Sequence, residues 1–396
     1  MRSDVIEPQA GRETSRRHGW LAAELRLPIA APSPLIAVGA ESKGAFCLVE
    51  GDRALLSESF GSLLEPDNYR RYRAALDVAS IETGVSPRCV AYDLHPGYLS
   101  TAYAHACGLP SRPVQHHHAH VAACMIEHGR CEPVIGIVCD GAGCGLDKAS
   151  WGCEILRVEP RQFERLAHLR YFRLPGSDKS ATQCWRPAYA ICRDAFGGNF
   201  SVEARSLFDE VGEDDLRIAD QMLSGNVQSP LTSSLGRLFD VASYLLGLCR
   251  QNEHEAQAAI ALETAATATP GIALPFAIDE GDGATILDMT PAVRELIRRR
   301  QDGAATEQLA ADFHETLVQA LTRLAVDEAS RCRLNTVVLT GGCFANRLLA
   351  RGLADQLCGA GLKVLEHRMV SCGDAAIPLG QAYVAAALEA AECGGE

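Results

Sequence analysis

Val134-Ile135-Gly136-Ile137-Val138-Cys139 is a nearly continuous apolar run that passes straight into Asp140-Gly141-Ala142-Gly143-Cys144-Gly145. An unbroken apolar run is the pattern of a strand buried on both faces. Glycines at every second position read as a loop whose backbone N–H groups can approach a phosphate without a clashing side chain, with a tight structural turn as the plainer alternative. A second such unit comes late: Thr336-Val337-Val338-Leu339-Thr340, then Gly341-Gly342, then a helix-like stretch from Asn346 to Leu357. Two strand-then-glycine units in one chain point to an α/β fold with ligand at the ends of strands. The spacing matches neither the P-loop nor the Rossmann fingerprint, because Gly-x-x-x-x-Gly-Lys is missing and Gly141-x-Gly143-x-Gly145 has the wrong period.

Outward from this core, Leu35 to Val38, Ala45 to Val49 and Ala54 to Leu56 are short apolar runs separated by glycine and charged turn residues, a meander of strands. Asn68 to Val78 has helical spacing, and Cys89 to Tyr92 reads as a buried strand ending in Asp93-Leu94-His95-Pro96. Val121, Ala122, Met125 and Ile126 recur at three and four residues, which places the histidines at the start of a helix. Leu207 to Gly225 and Gly236 to Thr267 have helical spacing, and Ala268 to Gly283, rich in proline and glycine, reads as a loop region.

The chain has 396 residues, 47% of them apolar and 22% charged, the composition of a globular protein of two or three folding units. A net charge of -13, with no Lys/Arg run to reverse it, argues against nucleic acid as a partner. Met1 to Gly19 lacks a secretory apolar core and no stretch reaches the roughly 18 apolar residues of a spanning helix, so a cytoplasmic protein with no membrane partner is expected. Sixteen cysteines without any Cys-x-x-Cys pair read mostly as reduced, buried small hydrophobes.

The sharpest local signal is Gln115-His116-His117-His118-Ala119-His120. Residues four apart share a helix face, so His116 and His120 can offer two imidazoles to one divalent ion, with carboxylates completing the shell; a solvated polar helix start is the alternative. His117 stands where a metalloprotease has its glutamate, which disfavours peptide hydrolysis. Asp140 could bind the metal or its water, and Gly341 and Gly342 could let a nucleobase or ribose lie against the backbone, with Asn346 opening the next helix. Asp240 and Glu255, on the helical stretch after Gly236, could accept hydrogen bonds from a ribose or be solvated helix-face acids. Lys43 in a strand turn could meet a phosphate or a developing negative charge, and His95 could act as an acid or base; solvent exposure and a structural partner are their bland roles. Asp374, among small residues, has the helix N-cap as its ordinary use.

Taken in order, Lys43-x-x-Phe46-Cys47-Leu48, Asp93-Leu94-His95-Pro96-x-Tyr98, the histidine cluster, Asp140-Gly141-x-Gly143-x-Gly145, Trp151-Gly152-x-Glu154, Leu174-Pro175-Gly176, Gly236-Arg237-Leu238-Phe239-Asp240, Glu255-x-Gln257-Ala258-Ala259, Gly341-Gly342-x-Phe344-x-Asn346 and Leu379-Gly380-Gln381 resemble the C-terminal transferase domain of the HypF hydrogenase-maturation carbamoyltransferases, from about Leu35 to the C-terminus. The resemblance implies an α/β, actin-like (ASKHA) fold of two RNase H-like subdomains with an interdomain nucleotide cleft. It divides the chain into a polar lead-in (1–33), a first subdomain (34–133) to which a C-terminal helix (375–396) returns, and a second subdomain with helical insertions (134–374).

It further implies that His116, His120, Asp140 and Asp374 hold one iron or zinc ion and that the glycine loops at Asp140 and Gly341 flank ATP or carbamoyl-adenylate. Joined to the residue readings above, Gly141, Gly143, Gly145, Asp240, Glu255, Gly341, Gly342 and Asn346 are the expected nucleotide residues and Lys43 and His95 the expected catalytic ones. The acceptor it implies is the C-terminal cysteine thiolate of a HypE-like partner. The upstream domains of full-length HypF do not fit before Leu35, so a separate protein is expected to supply carbamoyl-adenylate. Two departures stand out. The family's Asn-Asp-Gly-Gly is Gly373-Asp374-Ala375-Ala376 here, and its Gly-Gly-Glu is Gly152-Cys153-Glu154, which adds Cβ atoms beside the expected site. An O-carbamoyltransferase acting on a small-molecule hydroxyl, and a catalytically weakened partner-binding protein, are the rival expectations.

Overall fold

A computed structural model describes residues 18–266 and 269–394; most of the polar lead-in, Thr267 of the expected helical stretch, Ala268 of the expected loop and 395–396 of the expected C-terminal helix lie outside them. The chain separates into two compact units, one of Met1–Pro133, Val158–Phe163 and Glu366–Glu396 and the other of Val134–Arg157 and Glu164–Leu365.

In the first unit β1 (Leu21–Arg26), β2 (Leu35–Ala37), β3 (Cys47–Glu50), β4 (Arg53–Ser57), β5 (Cys89–Asp93) and β6 (Ser111–Val114) form one sheet in the order β1-β4-β3-β2-β5-β6. The meander pairs antiparallel, and β5 and β6 add parallel to β2. Part of the expected lead-in is thus a strand: Glu24 faces Leu55 across the β1–β4 ladder, and Trp20, Leu21 and Leu25 are buried. The alternating apolar residues of this segment were masked by their charged neighbours. The helix expected at 68–78 runs from Pro66, a residue suited to a first turn, to Thr83, where Gly84 at φ 71° stops it. It buries Tyr72, Leu76 and Ala79 against Phe46, Phe60 and the sheet.

The C-terminal helix Ile377–Gly394 packs in this unit against the histidine helix His116–Glu127. Gly380 makes that possible, since a Cβ there would fall 1.8 Å from the Ala119 carbonyl oxygen.

In the second unit β7 (Val134–Cys144), β8 (Ser150–Glu159), β9 (Gln162–Leu169), β10 (Phe172–Arg173), β11 (Leu231–Thr232), β12 (Ala277–Glu280), β13 (Thr285–Asp288), β14 (Thr336–Thr340) and β15 (Lys363–Leu365) form a sheet with the path β12-β13-β9-β8-β7-β14-β15. β7 and β14 lie side by side and parallel, Ile137 opposite Leu339, so the two apolar runs are neighbours in the centre of the sheet.

Two expectations are corrected here. Asp140 does not open a loop: β7 continues through Cys144, and the turn comes at Gly145 to Lys148, where Gly145 N–H bonds the Ala149 carbonyl and Lys148 takes φ 67°. Strand pairing satisfies these backbone groups, which outweighs the turn preference of glycine. Likewise the region expected as a loop from 268 to 283 contains β12, which pairs antiparallel with β13. The helical stretches after 207 resolve into Glu213–Gly225, Leu235–Leu245 and Gln257–Ala266. No helix of the described residues is long and apolar enough to cross a membrane. All sixteen cysteines are free, but only eight are buried, so the buried-hydrophobe reading holds for half of them.

Candidate functional site

The histidine helix starts where expected because Gln115 caps it: its side-chain oxygen accepts from the backbone N–H of His118 at 2.8 Å. The i, i+4 spacing then sets His116 and His120 edge to face with ring centroids 4.9 Å apart, both buried at 0% and 1% exposure. Their Nε2 atoms face one carboxylate oxygen, Oδ1 of Asp374, at 3.6 and 3.5 Å. These three residues each offer one ligand atom, all within 4.8 Å of one another. Buried imidazoles and a carboxylate gathered on one point are costly unless a cation or shared protons compensate them, and two nitrogens with one hard oxygen are a donor set that a divalent ion accepts. The residues present therefore fit a metal.

The helix contributes more than ligands. His116 Nδ1 lies 2.7 Å from Oδ2 of Asp93, both side chains fully buried, while Asp93 Oδ1 accepts from the His95 backbone N–H at 2.9 Å. Asp93 thus holds a proton on Nδ1 and turns Nε2 toward Asp374, the outer support seen behind metal-binding histidines. His118 takes no part: its Nε2 bonds the Glu159 carbonyl at 2.8 Å, and burial pushes its pKa down to about 4.

Asp374 begins a short 3-10 turn, Asp374–Ala376, that leads into the C-terminal helix. The approach to it is pinned by Glu127, the last residue of the histidine helix. That carboxylate accepts from His367 Nδ1 at 2.8 Å and from the backbone N–H groups of Arg368 and Met369 at 2.8 and 2.5 Å. Burial pushes its pKa up, yet these bonds outweigh burial and leave it below the ordinary carboxylate value. The departures at Ala375 and Ala376 introduce no backbone strain, since neither takes a positive φ.

In the second unit the two glycine segments meet through β7 and β14. Asp140 Oδ1 accepts from the Gly342 backbone N–H at 3.1 Å. Gly341 has φ 103°, and a Cβ there would fall 2.2 Å from the Cys139 carbonyl oxygen, so this position admits only glycine. Gly141 differs, because a Cβ there would meet nothing within 4 Å; Gly143 is buried in β7, and a Cβ on Gly145 would strike the Trp151 ring nitrogen at 2.2 Å. Of the three alternating glycines, Gly141 leaves the most open backbone. The changed motif around Cys153 is carried by strand β8 without positive φ, and its Glu154 is buried against Arg165 at 2.6 Å.

Other expected residues turn out differently. Asn346 is committed to structure at both ends: its oxygen caps the helix Arg347–Gly359 at Leu349 N–H, 3.0 Å, and its Nδ2 meets His314 Nε2 at 2.9 Å. Asp240 is no solvated acid: it is 1% exposed, accepts from Asn252 Nδ2 at 3.0 Å and is ion-paired with Arg237 Nε at 2.7 Å, and burial pushes its pKa up to about 6. Glu255 is exposed and lies outside any helix, in the segment before Gln257. Lys43 is half-buried in the turn between β2 and β3, and its carbonyl accepts from Ser59 Oγ. His95 takes a hydrogen bond from Gly97 N–H at Nδ1, 3.2 Å, and stacks on Tyr98 at 4.1 Å. Sequence reasoning missed Asp93 as a partner of His116, although its place at the end of a buried strand, ahead of a turn, was a usable signal.

Two family models match the chain: "HypF Kae1-like domain" over residues 30–127 and "Carbamoyltransferase, Kae1-like Domain, second subdomain" over residues 136–381. A carbamoyltransferase HypF homolog of Cupriavidus necator is 38% identical over 368 residues, covering 89% of this chain and 92% of that protein. Carbamoyltransferase HypF2 of the same organism is 36% identical over 403 residues, 93% of this chain and 48% of that one, and HypF of Rhizobium leguminosarum is 35% identical over 92% and 47%. The chain therefore spans nearly all of one relative and about half of the longer ones. A crystal structure of full-length HypF in a phosphate- and nucleotide-bound form superposes with a TM-score of 0.88 at 33% identity, over 93% of this chain and 48% of that one. HypF of T. kodakarensis, at 24% identity over 93% of this chain and 49% of that one, shares the fold with a TM-score of 0.83. The fold is accordingly α/β and actin-like, as the resemblance implied. Ordered motifs, matched family models and superposed structures agree: the chain belongs to the HypF carbamoyltransferase family.

Proposed function

We propose that this protein is a cytoplasmic carbamoyltransferase that moves a carbamoyl group from carbamoyl-adenylate to the C-terminal cysteine of a HypE-like partner during hydrogenase maturation. The observation that carries the reading is the meeting of His116 and His120 Nε2 on Asp374 Oδ1, with His116 backed by buried Asp93. An iron or zinc ion would be held by these three ligands, with Asp140 proposed as the fourth on the strength of the family motif. When bound, the ion supplies a positive centre that polarises a carbonyl oxygen.

The residues of the chain do the rest. Asp93 keeps the His116 ring in the tautomer that presents Nε2. The open backbone at Gly141 and the glycines at 341 and 342 are proposed to receive the nucleotide, with Gly143 and Gly145 shaping the strand and turn beside it. The relative solved with nucleotide bound supports this assignment. Asp240, Glu255 and Asn346 are then proposed as supports and rim groups of the nucleotide site, since Asp240 and Asn346 are already bonded within the protein. In transfer, the acceptor sulfur forms a bond to the carbamoyl carbon as the carbon–oxygen bond to AMP breaks. Lys43 is proposed to offset charge on the departing phosphate, and His95 to take the thiol proton.

The test mixes the full chain, carbamoyl-adenylate and a HypE-like acceptor, and reads the acceptor's C-terminal peptide by mass spectrometry. A carbamoylated cysteine that disappears with H116A/H120A supports the reading. No modification with the intact chain, or modification that survives loss of both histidines, overturns it.

A further inference from the structure

Each residue facing the common point has two polar atoms, and for His116 and Asp374 the partner of the outer atom is clear. For His116 that atom is Nδ1, held by Asp93. For Asp374 it is Oδ2, which accepts from the Ser42 hydroxyl at 2.5 Å, while Oδ1 faces both imidazoles. An O–H donor on a carboxylate makes a charge-assisted hydrogen bond.

Ser42 is exposed, but the loop that carries it is not loose. On one side Glu41 is buried; its carbonyl accepts from Leu63 N–H at 2.9 Å and its carboxylate from Leu99 N–H at 2.7 Å. On the other side Gly44 N–H bonds the Gly61 carbonyl and its carbonyl accepts from Phe60 N–H, with no room for a side chain, since a Cβ would lie 2.2 Å from Leu63. The hydroxyl is therefore delivered to Asp374 from a backbone fixed on both flanks. Glu127 fixes the other approach, through His367, Arg368 and Met369.

We infer that Ser42 is the positioning residue for the metal ligand Asp374: its hydroxyl holds Oδ2 so that Oδ1 is presented to the ion that His116 and His120 share. Removing the hydroxyl takes away the donor that favours this orientation of the carboxylate, whose side chain is 13% exposed. The role is the counterpart of Asp93 behind His116, and it rests on the metal reading above. Outer supports of this kind change metal affinity by about ten- to a hundred-fold when removed.

The test titrates zinc ion into the chelator-stripped full chain against a fluorescent competing chelator, and records thermal melting of the metal-free protein alongside. S42A is expected to weaken zinc binding by about ten- to a hundred-fold with an unchanged metal-free melting temperature, and S42T, which restores the hydroxyl, to recover most of it. Full zinc affinity in S42A, or equal weakening in S42A and S42T, overturns the assignment of Ser42 alone. If the intact chain binds no zinc, or H116A/H120A leaves binding unchanged, the metal reading itself falls and takes the Ser42 role with it.

Discussion

Around His116 and His120 the structure gathers polar side chains, and around Gly341 and Gly342 it brings backbone close to backbone. In the first region imidazoles, carboxylates and a hydroxyl gather from residues as far apart in sequence as 42 and 374, the Ser42 hydroxyl donating to the Asp374 carboxylate. In the second, the decisive feature is what is absent: Gly341 at φ 103° passes so close to Cys139 that no side chain can stand there. A site of side chains tolerates change in its frame as long as the ligand atoms return to place. A site of backbone has no such slack, because strand pairing positions its atoms directly.

The comparison can be broken at its largest expected effect by G341A. A left-handed backbone and a carbonyl contact both oppose the added methyl, so a loss of about 4 kcal/mol in urea unfolding is expected; a fully stable variant would mean the close approach is not needed. G380A asks whether the side-chain region also rests on backbone. Its Cβ would meet Ala119 O at 1.8 Å, and a loss of about 3 kcal/mol is expected, together with weaker zinc binding as the two helices separate. If zinc affinity is untouched while stability falls, the contact serves the core only.

Asp240 gives a pH-dependent test in the second region. Its carboxyl, ordinarily at 3.8, is pushed to about 6 by burial despite the Arg237 guanidinium. The folded chain therefore binds this proton more tightly than the unfolded chain. The resulting stability is fully present below pH 4 and is lost as pH rises through 6. With a difference of about 2 units at 1.36 kcal/mol each, the wild type should lose roughly 2 to 3 kcal/mol relative to D240N between those limits, read from unfolding midpoints. A gap that does not change with pH would show Asp240 to be ionised throughout.

Smaller again is D93N, which keeps the shape of the group behind His116 but no longer holds the Nδ1 proton as a carboxylate does. Zinc affinity is expected to drop by about ten- to a hundred-fold, roughly 1.4 to 2.8 kcal/mol, and an unchanged affinity would remove Asp93 from the metal's support. The smallest effect is expected from A375G and A376G, which restore the family's glycines. Neither alanine is strained, so each reversal should destabilise by about 0.5 to 1 kcal/mol without strengthening zinc binding.

Much of this was legible in the residues. Apolar runs marked β7 and β14, helical spacing placed His116 and His120 on one face, and ordered motifs identified the family. What was not legible has a common cause. The strand Leu21–Arg26 carries charges between its apolar residues and takes its place only through pairing with β4. The glycines after Asp140 look like a loop, and only a partner strand turns them into ladder. Asn346 and Asp240 look available for a ligand, but His314 and Asn252, reached through separate helices and turns, have taken them.

By itself, the order of residues determined the periodicities, the buried strands, the paired histidines and the glycine positions, because these depend on neighbours a few residues apart. Only the tertiary structure decided that Asp374 faces both imidazoles, that Ser42 and Asp93 bond the outer atoms of Asp374 and His116, and that Gly341 lies on Cys139. Those contacts join segments up to 332 residues apart, and their directions follow from how helices and sheets pack, which no local pattern encodes.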